Sequence, residues 1–437
     1  MCEGPDTEGR VQEGGMRTLA ALYGNLGQGG VQRGASFQVP MFARMGIRVV
    51  VLTGGASGKD DFDVPGAFAK VCLGLGEDRG RRLRDALRKY DVDLLIHHDA
   101  YDRERLQTDL DVAEETSVPV VIFWHSVFSH LYLRPNRQRD ANPILALCKR
   151  ARAVITLTRT DEAFFRLLGI PALSIPYSDP DLMDGFIRKA FPHRILWMGR
   201  LKELKRPLDA IRVLAKVCER IPDFELFLLG DGDVAVREEL ERFVRERGNL
   251  VERVHFEGFV RNVRSYLESC GVGLVTSRFE GCCHAAVEIK MASLPLVTYS
   301  MPYADWQDAG SGALVVPQGD VDAAAAAIVD LFSSDGELSR QGQLARESYL
   351  RLSSVDQDVA YRRLFGLLER ATCAELLEVD PVFASRAMQT LTDHIAEALR
   401  IQANRIVAER AASGDRLSSA RCVLRKIKGK LKRAFGK

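Results

Sequence analysis

The sequence predicts an α/β protein built from two successive doubly wound domains with parallel strands. Short apolar runs rich in β-branched residues alternate with longer segments of helical period, which is the pattern of parallel strands joined by helices. The series of runs occurs twice, separated at positions 176–193 by a segment rich in Pro, Asp and other polar residues, where we expect a hinge. A chain of 437 residues with 46% hydrophobic content is long enough for two such domains and a helical extension.

The strand candidates fall into a first series before the hinge segment and a second series after it. The first series comprises Arg17–Tyr23, Arg48–Leu52, Asp93–Ile96, Val118–Trp124 and Ala153–Leu157. The second comprises Arg194–Met198, Glu225–Leu229, Arg253–Phe256, Gly271–Val275, Pro295–Tyr299 and Ala313–Val316. Ligands of open α/β sheets bind at the carboxyl ends of the strands, so the loops that follow these runs are the first place to look for functional residues.

The end of the chain reads as helical. Helices are predicted from Asp322 to about Leu368, and a long helix from Asp380 to about Ala412, which begins at an Asp-Pro start signal. Its apolar residues lie near one stripe: Leu391, Ile395, Leu399 and Ile406. The segment at 380–412 therefore either packs on its own subunit or pairs with a second copy of the chain.

Composition excludes several classes of protein. No run of 18 apolar residues occurs, so no membrane-spanning helix is predicted. The first fifteen residues are polar and lack the apolar core of a secretory signal, so we expect a flexible leader and a cytoplasmic protein. The nine cysteines are scattered without a Cys-x-x-Cys spacing, which favours reduced thiols over disulfides or a zinc site.

Positive charge is concentrated in the last seventeen residues. Residues 421–437 hold eight basic residues and no acidic one, and removing these eight leaves 53 basic against 59 acidic residues, a net charge of −6. The apolar residues of this tail have helical spacing: Val423, Leu424, Ile427, Leu431 and Phe435. We favour weak binding to an anionic membrane surface over a solvated tail. No nucleic-acid partner is expected, because an RNA or DNA module and stacking aromatics are absent.

The most informative segment runs from Ser277 to Glu288, directly after a predicted strand. Glu280 and Glu288 are separated by seven residues, and a helix starting just after Glu280 would place them roughly 12 Å apart, the span from sugar to ribose in a nucleotide sugar. The amides of residues 281–283, Gly281, Cys282 and Cys283, would then lie at a helix N-terminus, which favours a phosphate. Taken alone, the spacing favours two solvated helix glutamates over a functional pair.

A second cluster, Gly199-Arg-Leu-Lys-Glu-Leu-Lys205, follows another predicted strand. The guanidinium of Arg200 and the ammonium of Lys205 are able to stabilise a departing diphosphate without a metal ion. Surface charges in a strand-to-helix loop are the alternative interpretation. Asp-x-Asp matches such as Asp61-Phe-Asp63 and Asp231-Gly-Asp233 are expected by chance in a chain with 59 acidic residues, and we predict no required divalent metal.

The order of these motifs resembles the retaining glycosyltransferases of family 4, which have the GT-B fold. The resemblance covers about residues 17–370. Its motifs are Gly27-Gln-Gly-Gly-Val-Gln-Arg33, the His125 segment, Ala151-Arg-Ala-Val-Ile-Thr-Leu-Thr158, Gly199-Arg200 with Lys205, Leu229-Gly-Asp-Gly232, Phe256-Glu-Gly-Phe259, Glu280 with Glu288, and Val316-Pro-Gln-Gly-Asp320.

The resemblance implies two Rossmann-like domains that face a cleft. The expected layout is a leader at 1–15, an acceptor-side N-terminal domain at 16–180, and a donor-side C-terminal domain at 181–352. A helix at 353–370 returns to the N-terminal domain, and a helical extension with the basic amphipathic tail occupies 371–437.

The resemblance also implies roles for single residues. Arg200 and Lys205 would hold the donor diphosphate, Glu280 would contact the transferred sugar, and Glu288 would bind the ribose hydroxyls. A Gly-rich turn containing Gly29 and Gly30 would close over the donor.

Five further candidates lie at or after the ends of predicted strands. His125 lies at the end of an apolar strand, where a lone histidine is more often structural; the resemblance implies that it lies near the reacting sugar and orients a hydroxyl or the acceptor. Gly232 and Phe259 would contribute to the nucleotide site. His97 and His98, at the equivalent end of another strand, are weaker acceptor-side candidates.

One departure from the family pattern concerns donor choice. Many relatives have Gly-Phe-Gly after the first glutamate, where this chain has Gly281-Cys282-Cys283-His284. The loop therefore either restricts the approach of the backbone to phosphate or, as we favour, suits a different donor sugar. We interpret the two cysteines as small apolar filling.

These observations predict a metal-independent, retaining transfer of a hexosyl group from a nucleotide diphosphate sugar to a glycan or polyprenyl-linked acceptor. No cofactor is expected besides the donor substrate. The chain would be cytoplasmic, peripheral on the inner face of the membrane through residues 421–437, and able to form a homo-oligomer through residues 380–412. The alternative is a catalytically weak sensor of sugar nucleotides, or a membrane scaffold, with the same fold.

Overall fold

The computed structural model describes residues 16–412, apart from positions 28, 57, 59–60, 134–137, 178–181, 309, 354–356 and 370–373. The leader at 1–15 and the basic tail at 421–437 lie outside the described residues, and so do the side chains of 401–412, including that of Ile406.

The first sheet contains seven parallel strands in the order β3-β2-β1-β4-β5-β6-β7. The strands are β1 Thr18–Tyr23, β2 Arg48–Thr53, β3 Ala67–Cys72, β4 Leu94–His97, β5 Val120–Phe123, β6 Ala153–Thr156 and β7 Ala172–Ser174. All six residues of β1 are buried because the strand lies inside the sheet, where Ala20 is in register with Val50 on one side and Leu95 on the other. A parallel strand covered on both faces is apolar throughout, which is why the sequence shows a continuous run rather than alternation.

The second sheet contains six parallel strands in the order β10-β9-β8-β11-β12-β13. The strands are β8 Arg194–Met198, β9 Glu225–Leu229, β10 Val254–Gly258, β11 Val272–Val275, β12 Leu296–Tyr299 and β13 Ala313–Val316. Strands β8 and β11 are neighbours, with Ile195 in register with Val272. The loops that follow them therefore emerge side by side at the carboxyl edge of the sheet.

The sequence analysis predicted eleven of these strands and missed two. Strand β3 lies at the edge of its sheet, with alternate residues exposed and Phe68 56% accessible, so its run is not the continuous apolar one of an inner strand. Strand β7 is only three residues long. The predicted ends of the other strands coincide with the observed ends or differ from them by at most two residues.

Fourteen α-helices are assigned in the described part of the chain. The helices before the hinge segment are α1 Gly30–Arg44, α2 Arg79–Lys89, α3 Arg103–Glu115, α4 His130–Leu133, α5 Gln138–Cys148 and α6 Arg159–Leu167. The later helices are α7 Pro207–Cys218, α8 Val234–Arg245, α9 Arg264–Ser269, α10 His284–Met291, α11 Val321–Phe332, α12 Asp335–Ser353, α13 Gln357–Leu368 and α14 Pro381–Ala412. No helix of the described residues combines the length and the apolar character needed to cross a bilayer.

The chain forms two compact units. The first contains residues 1–123, 150–152 and 361–371, and the second contains 124–149, 153–360 and 372–437. Within the first, Tyr361 of α13 packs on Phe42 at 4.8 Å between ring centroids and accepts a hydrogen bond from Gln38 at 3.0 Å. Within the second, α7 packs on β8 and β9, and α11 packs on β12 and β13, around a core that includes Trp197. The domain layout drawn from the sequence stays a prediction.

Helix α14 is the long helix that the sequence predicted after Asp380. Its described part packs on α4 and α6 of the same unit, and Ala387, Thr390 and Ala398 are buried. Packing on its own subunit thus accounts for the first half of the helix. The predicted pairing with a second copy stays a prediction. The six cysteines that the structure describes are all free thiols.

Candidate active site

The loop after β8 carries Arg200 and Lys205 and is fixed by the neighbouring loop after β9. The amide of Gly199 donates to the carbonyl oxygen of Leu229 at 2.9 Å, and the amide of Asp233 donates to that of Leu201 at 3.0 Å. A Cβ atom at Gly232 would lie 2.4 Å from the Leu201 carbonyl oxygen. Only glycine lets the two loops approach this closely, so Gly232 positions the loop that bears the basic residues.

The loop after β11 is tied to the same segment. The indole of Trp197 donates to the hydroxyl of Thr276 at 2.9 Å, and this hydroxyl donates to the carbonyl oxygen of Lys205 at 2.8 Å. The amide of Arg278 donates to the carbonyl oxygen of Leu204 at 2.9 Å. These bonds combine the two loops into one surface at the carboxyl edge of β8 and β11.

On this surface the structure brings Lys205 and Glu280 into an ion pair between Nζ and Oε1. The side chains are 22% and 10% exposed, respectively, so the pair is accessible from solvent. The hydroxyl of Ser277 donates to the same carboxylate oxygen at 2.6 Å, and the amide of Glu280 donates to the hydroxyl of Tyr303 at 3.0 Å. A cation and a carboxylate are thus held side by side, as a charged ligand with a sugar attached would require.

Arg200 lies on the same loop with an exposed side chain and forms no ion pair with a described residue. Its guanidinium is therefore available to an anion. Glu288 is buried on α10, at 4% exposure.

The start of α10 corrects one assumption of the sequence analysis. The estimate of about 12 Å between Glu280 and Glu288 assumed a helix directly after Glu280, but α10 begins at His284, with Cys283 as its N-cap. The helix N-terminus that would face a phosphate therefore begins at Cys283 and not at Gly281.

The reason lies in the packing of Gly281 against the segment after β5. A Cβ atom at Gly281 would stand 2.8 Å from Cα of Ser126 and 3.0 Å from the carbonyl oxygen of His125. This contact needs glycine. Residues 281–283 therefore run alongside the segment at His125 and Ser126 before the helix begins. Burial lowers the pKa of His125 to about 3, so its imidazole is neutral at physiological pH and is suited to hydrogen bonding rather than to holding a proton.

The two cysteines of this loop are protonated thiols. Burial raises the pKa of Cys282 to about 12 and that of Cys283 well above its usual range. This matches small apolar filling better than redox chemistry, which uses thiolates. In the described part of the chain, no three His, Cys, Asp or Glu side chains are grouped so that they could hold a metal ion.

The remaining candidates lie at the ends of other elements. Gly29 is the N-cap of α1, with φ 152°, in the first unit, and Gly30 is the first residue of that helix. Phe259 follows β10 and is half-buried. His97 contacts Asp109 at 2.9 Å and is buried, which gives it a structural role, and His98 stacks on Tyr23 at 4.2 Å between ring centroids.

Several residues of the site were not predicted. Ser277 and Tyr303 hold Glu280 through hydroxyl groups, and Gln318 donates to the carbonyl oxygen of Arg278 at 3.0 Å. Gln318 belongs to the motif at 316–320. The sequence analysis included this motif in the resemblance but assigned no role to Gln318. Loop residues with hydroxyl groups carry no periodic signal, and nothing in the sequence distinguishes Ser277 or Tyr303.

Helix α14 also contacts this loop. Arg278 forms an ion pair with Glu397, and the ring of His394 meets Tyr303 edge-on at 5.2 Å between centroids. The other side of His394 is bound by the hydroxyl of Ser129. The C-terminal extension therefore supports the loop that carries Glu280.

Two family models match the chain. Residues 28–175 match the model described as Glycosyltransferase Family 4, and residues 192–334 match the model described as Glycosyl transferases group 1. The second match contains Arg200, Lys205, Glu280 and Glu288.

Relatives and solved structures agree with these matches. The chain is 25% identical over 377 residues to a phosphatidyl-myo-inositol mannosyltransferase of Mycolicibacterium smegmatis, covering 79% of this chain and 88% of the relative. A sucrose-phosphate synthase of Thermosynechococcus elongatus superposes with a TM-score of 0.66 at 20% identity, over 82% of this chain and all of the other. Anabaena HepE, solved in complex with UDP and glucose, superposes with a TM-score of 0.65 at 16% identity, over 80% of this chain and 99% of HepE.

Proposed function

Because the chain belongs to the glycosyltransferases of group 1, family 4, we propose that it moves a hexosyl group from a nucleotide diphosphate sugar to a glycan or lipid-linked acceptor. Its parallel sheets of seven and six strands are those of the GT-B fold. The proposed transfer retains the anomeric configuration and needs no metal ion.

The observation that carries this proposal is the pairing of Lys205 with Glu280 on the joined loops after β8 and β11. When the donor binds, the ammonium of Lys205 turns from Glu280 to the diphosphate, together with Arg200. Both cations then neutralise the charge that develops as the glycosidic bond breaks. Glu280, released from Lys205, accepts hydrogen bonds from hydroxyl groups of the sugar.

The first turn of α10 and Glu288 complete the proposed donor site. The amides at the start of α10 face the phosphates, and Glu288 binds the ribose hydroxyls. A nucleotide sugar as donor is supported by HepE, whose structure contains UDP and glucose, and a hexosyl group by the mannosyltransferase relative.

The proposed retention follows from attack on the same face as the leaving phosphate. A phosphate oxygen takes the proton of the acceptor hydroxyl as the new bond forms and the old one breaks. His125 is not assigned this proton, since burial lowers its pKa to about 3, and as a neutral imidazole it orients a hydroxyl instead.

The test is the release of nucleoside diphosphate. The full chain is incubated with UDP-, GDP- and ADP-sugars, with and without a lipid extract, each with and without EDTA. We expect release from one donor class, increased by the extract and unaffected by EDTA. If a donor binds but no diphosphate is released under any condition, the chain is not a transferase, and the sensor described next is supported. Inhibition by EDTA would contradict metal independence.

A second candidate is a catalytically weak sensor of sugar nucleotides or a membrane scaffold of the same fold. The contact of α14 with the loop of Glu280 favours it, because a change in the position of α14 on donor binding would reach the C-terminal tail. In both candidates the tail at 421–437 binds an anionic membrane surface, which makes the chain peripheral on the cytoplasmic side.

A further inference from the structure

Helix α14 contacts two segments of the candidate active site. It packs on α6 and on α4, the short helix that follows the segment of His125. Glu397 pairs with Arg278 of the loop that carries Glu280, and it also accepts two hydrogen bonds from Arg400, at 2.6 and 2.9 Å. The two family matches cover residues 28–175 and 192–334, so α14 lies outside both. The roles proposed above for the transfer include no residue of this helix.

The segment after β5 and the loop after β11 also touch each other. Gly281 packs against Ser126, as described above, and the ring of Phe279 meets that of His130 edge-on at 5.2 Å between centroids. The proposed transfer places one group of each segment at the reacting sugar, an imidazole from the first and a carboxylate from the second. The relative position of these two groups therefore depends on what holds the two segments together.

The side chain of His394 on α14 contacts both segments. Its Nδ1 shares a hydrogen bond with the hydroxyl of Ser129, which is buried in the segment after β5. Its ring meets the ring of Tyr303 at 5.2 Å between centroids and an interplanar angle of 82°. The hydroxyl of Tyr303 accepts the hydrogen bond of the Glu280 amide at 3.0 Å. One imidazole thus links the segment of His125 to the backbone of Glu280.

Packing and hydrogen bonding hold this ring, not charge. Burial lowers the pKa of His394 to about 4, so the imidazole is neutral at physiological pH. The charged groups that face it oppose one another, because Asp393 and Glu397 raise this pKa and Arg278 lowers it. Tyr303 is only 2% exposed, so its ring gains room to move when the ring of His394 is removed.

We infer that His394 is a positioning residue for the transfer, which holds Glu280 in place relative to the segment of His125. Groups that orient a substrate act through geometry, and a displacement of about 1 Å costs about 10²-fold in rate. The inference rests on the proposed function, because that function assigns Glu280 to the sugar. Loss of His394 should therefore impair the steps that involve the sugar. Binding of the nucleoside diphosphate, which Arg200 and Lys205 hold, should be unchanged.

Two substitutions of His394 separate its two contacts. His394→Asn keeps a polar group at the place of Nδ1 for Ser129 but has no ring to pack on Tyr303, and His394→Phe keeps the ring but loses the hydrogen bond. Each should lower kcat by about three- to tenfold. His394→Ala loses both contacts and should lower kcat by about ten- to hundredfold. Because Ser129→Ala and His394→Phe break the same hydrogen bond, the double variant should be no slower than the slower single variant.

The experiment compares the full chain with each variant by three measurements. The first is kcat for nucleoside diphosphate release at saturating donor, which should fall in the His394 variants. The second is the Kd of UDP, GDP or ADP by calorimetric titration, which should change by less than about twofold. The third is hydrogen exchange of the peptide that contains Glu280, whose amide should exchange faster once its acceptor Tyr303 is no longer held.

Thr392→Ala is the matched control on the same helix. Thr392 is exposed, and its hydroxyl donates to the carbonyl oxygen of Met388 at 2.9 Å within the helix. This variant should keep all three parent values. A merely structural role of His394 would leave kcat and the exchange of the Glu280 amide unchanged at temperatures where the variants are folded. Parent-like kcat in His394→Ala, or equal losses of kcat and of diphosphate affinity, would overturn the inference.

Failure of the proposed function gives a different result. If the parent chain releases no diphosphate, the affinity for UDP-glucose, GDP-mannose or ADP-glucose relative to that for UDP, GDP or ADP replaces kcat. A fall of this relative affinity in His394→Ala then supports the positioning role, and an unchanged value overturns it. A parent chain that binds none of these nucleotides contradicts both the proposed function and the inference.

Discussion

Two clusters of charged residues lie at carboxyl ends of inner strands, one in each unit, and they differ in how completely they are closed. In the first unit, Asp109 accepts two hydrogen bonds from Arg79, at 2.9 and 2.7 Å, and contacts His97 at 2.9 Å. Arg79 also donates to the carbonyl oxygen of Gly74 at 3.1 Å. The side chains of Arg79, Asp109 and His97 are 4%, 0% and 1% exposed.

The cluster of the second unit is open. Lys205 and Glu280 are 22% and 10% exposed, and the ammonium of Lys205 meets a single carboxylate oxygen. Arg200 on the same loop is exposed and forms no ion pair with a described residue.

The exposure of the side chains distinguishes a structural cluster from a ligand-binding cluster better than the residue types do. Both clusters contain a base and an acid next to a strand end, and the sequence offers histidines at one and glutamates at the other. A fully buried cluster whose donors and acceptors are all used cannot bind a ligand without first breaking its own bonds. In the pair of Lys205 and Glu280 the ammonium is 22% exposed, so an anionic ligand reaches it without opening a fully buried cluster.

The largest effect is expected from opening the closed cluster. Asp109→Ala leaves the charge of Arg79 buried without its partner, which should lower the free energy of unfolding by about 3–5 kcal/mol. Urea unfolding measures this loss. Asp322→Ala is the control, because Asp322 pairs with Lys216 at 3.2 Å on the surface, with 78% of the acid exposed. A loss below about 1 kcal/mol for Asp109→Ala would remove the structural role of this cluster.

The same variant should change the response to acid. Burial by itself would raise the pKa of Asp109, but hydrogen bonds from His97 and Arg79 outweigh it and hold the pKa below its usual range. The stabilisation by the ionised carboxylate is therefore present above about pH 4, the pKa of an unfolded Asp, and is lost as the pH falls through the lower folded value. Asp109→Ala should have a shallower loss of stability on acidification than the parent chain.

The next effect concerns the open cluster. Lys205→Ala should lower the transfer rate by about 10²–10³-fold, because one cation that stabilises the leaving diphosphate is removed. Its free energy of unfolding should fall by less than that of Asp109→Ala, because Lys205 is 22% exposed and Glu280 keeps its hydrogen bond from Ser277. Nucleoside diphosphate release and urea unfolding measure the two quantities. Lys216→Ala, which breaks a surface pair distant in sequence, should change neither, and an unchanged rate in Lys205→Ala would refute the assignment.

The inner strands of both sheets were predicted correctly, because strands that are buried on both faces appear in the sequence as continuous apolar runs. The edge strand Ala67–Cys72 did not, since alternate residues face solvent and Phe68 is exposed. The long helix at 381–412 followed from its Asp-Pro start. The start of α10 did not follow, because it depends on the contact between Gly281 and Ser126, which are far apart in the chain.

The sequence predicted only part of the candidate site. The motifs predicted Lys205 and Glu280 as site residues. The structure joins their loops through Thr276, whose hydroxyl donates to the carbonyl oxygen of Lys205, 71 residues away in the chain. Ser277 and Tyr303, whose hydroxyl groups support Glu280, are not part of any periodic pattern in the sequence, so the sequence could not predict them.

The smallest effect concerns His125, a half-buried histidine whose carbonyl oxygen packs against Gly281. Burial lowers the pKa of His125 to about 3, so its protonation does not change between about pH 5 and 8. His125→Gln should lower the transfer rate by about three- to tenfold, as expected for one lost hydrogen bond, without changing the shape of the pH profile. His193→Gln, at a surface histidine bound to Asp223 at 2.8 Å, is the control and should keep the parent rate. If the parent chain shows a limb near pH 6–7 that His125→Gln lacks, His125 titrates during transfer and acts as a base, and the proton must then be reassigned from the leaving phosphate to this imidazole.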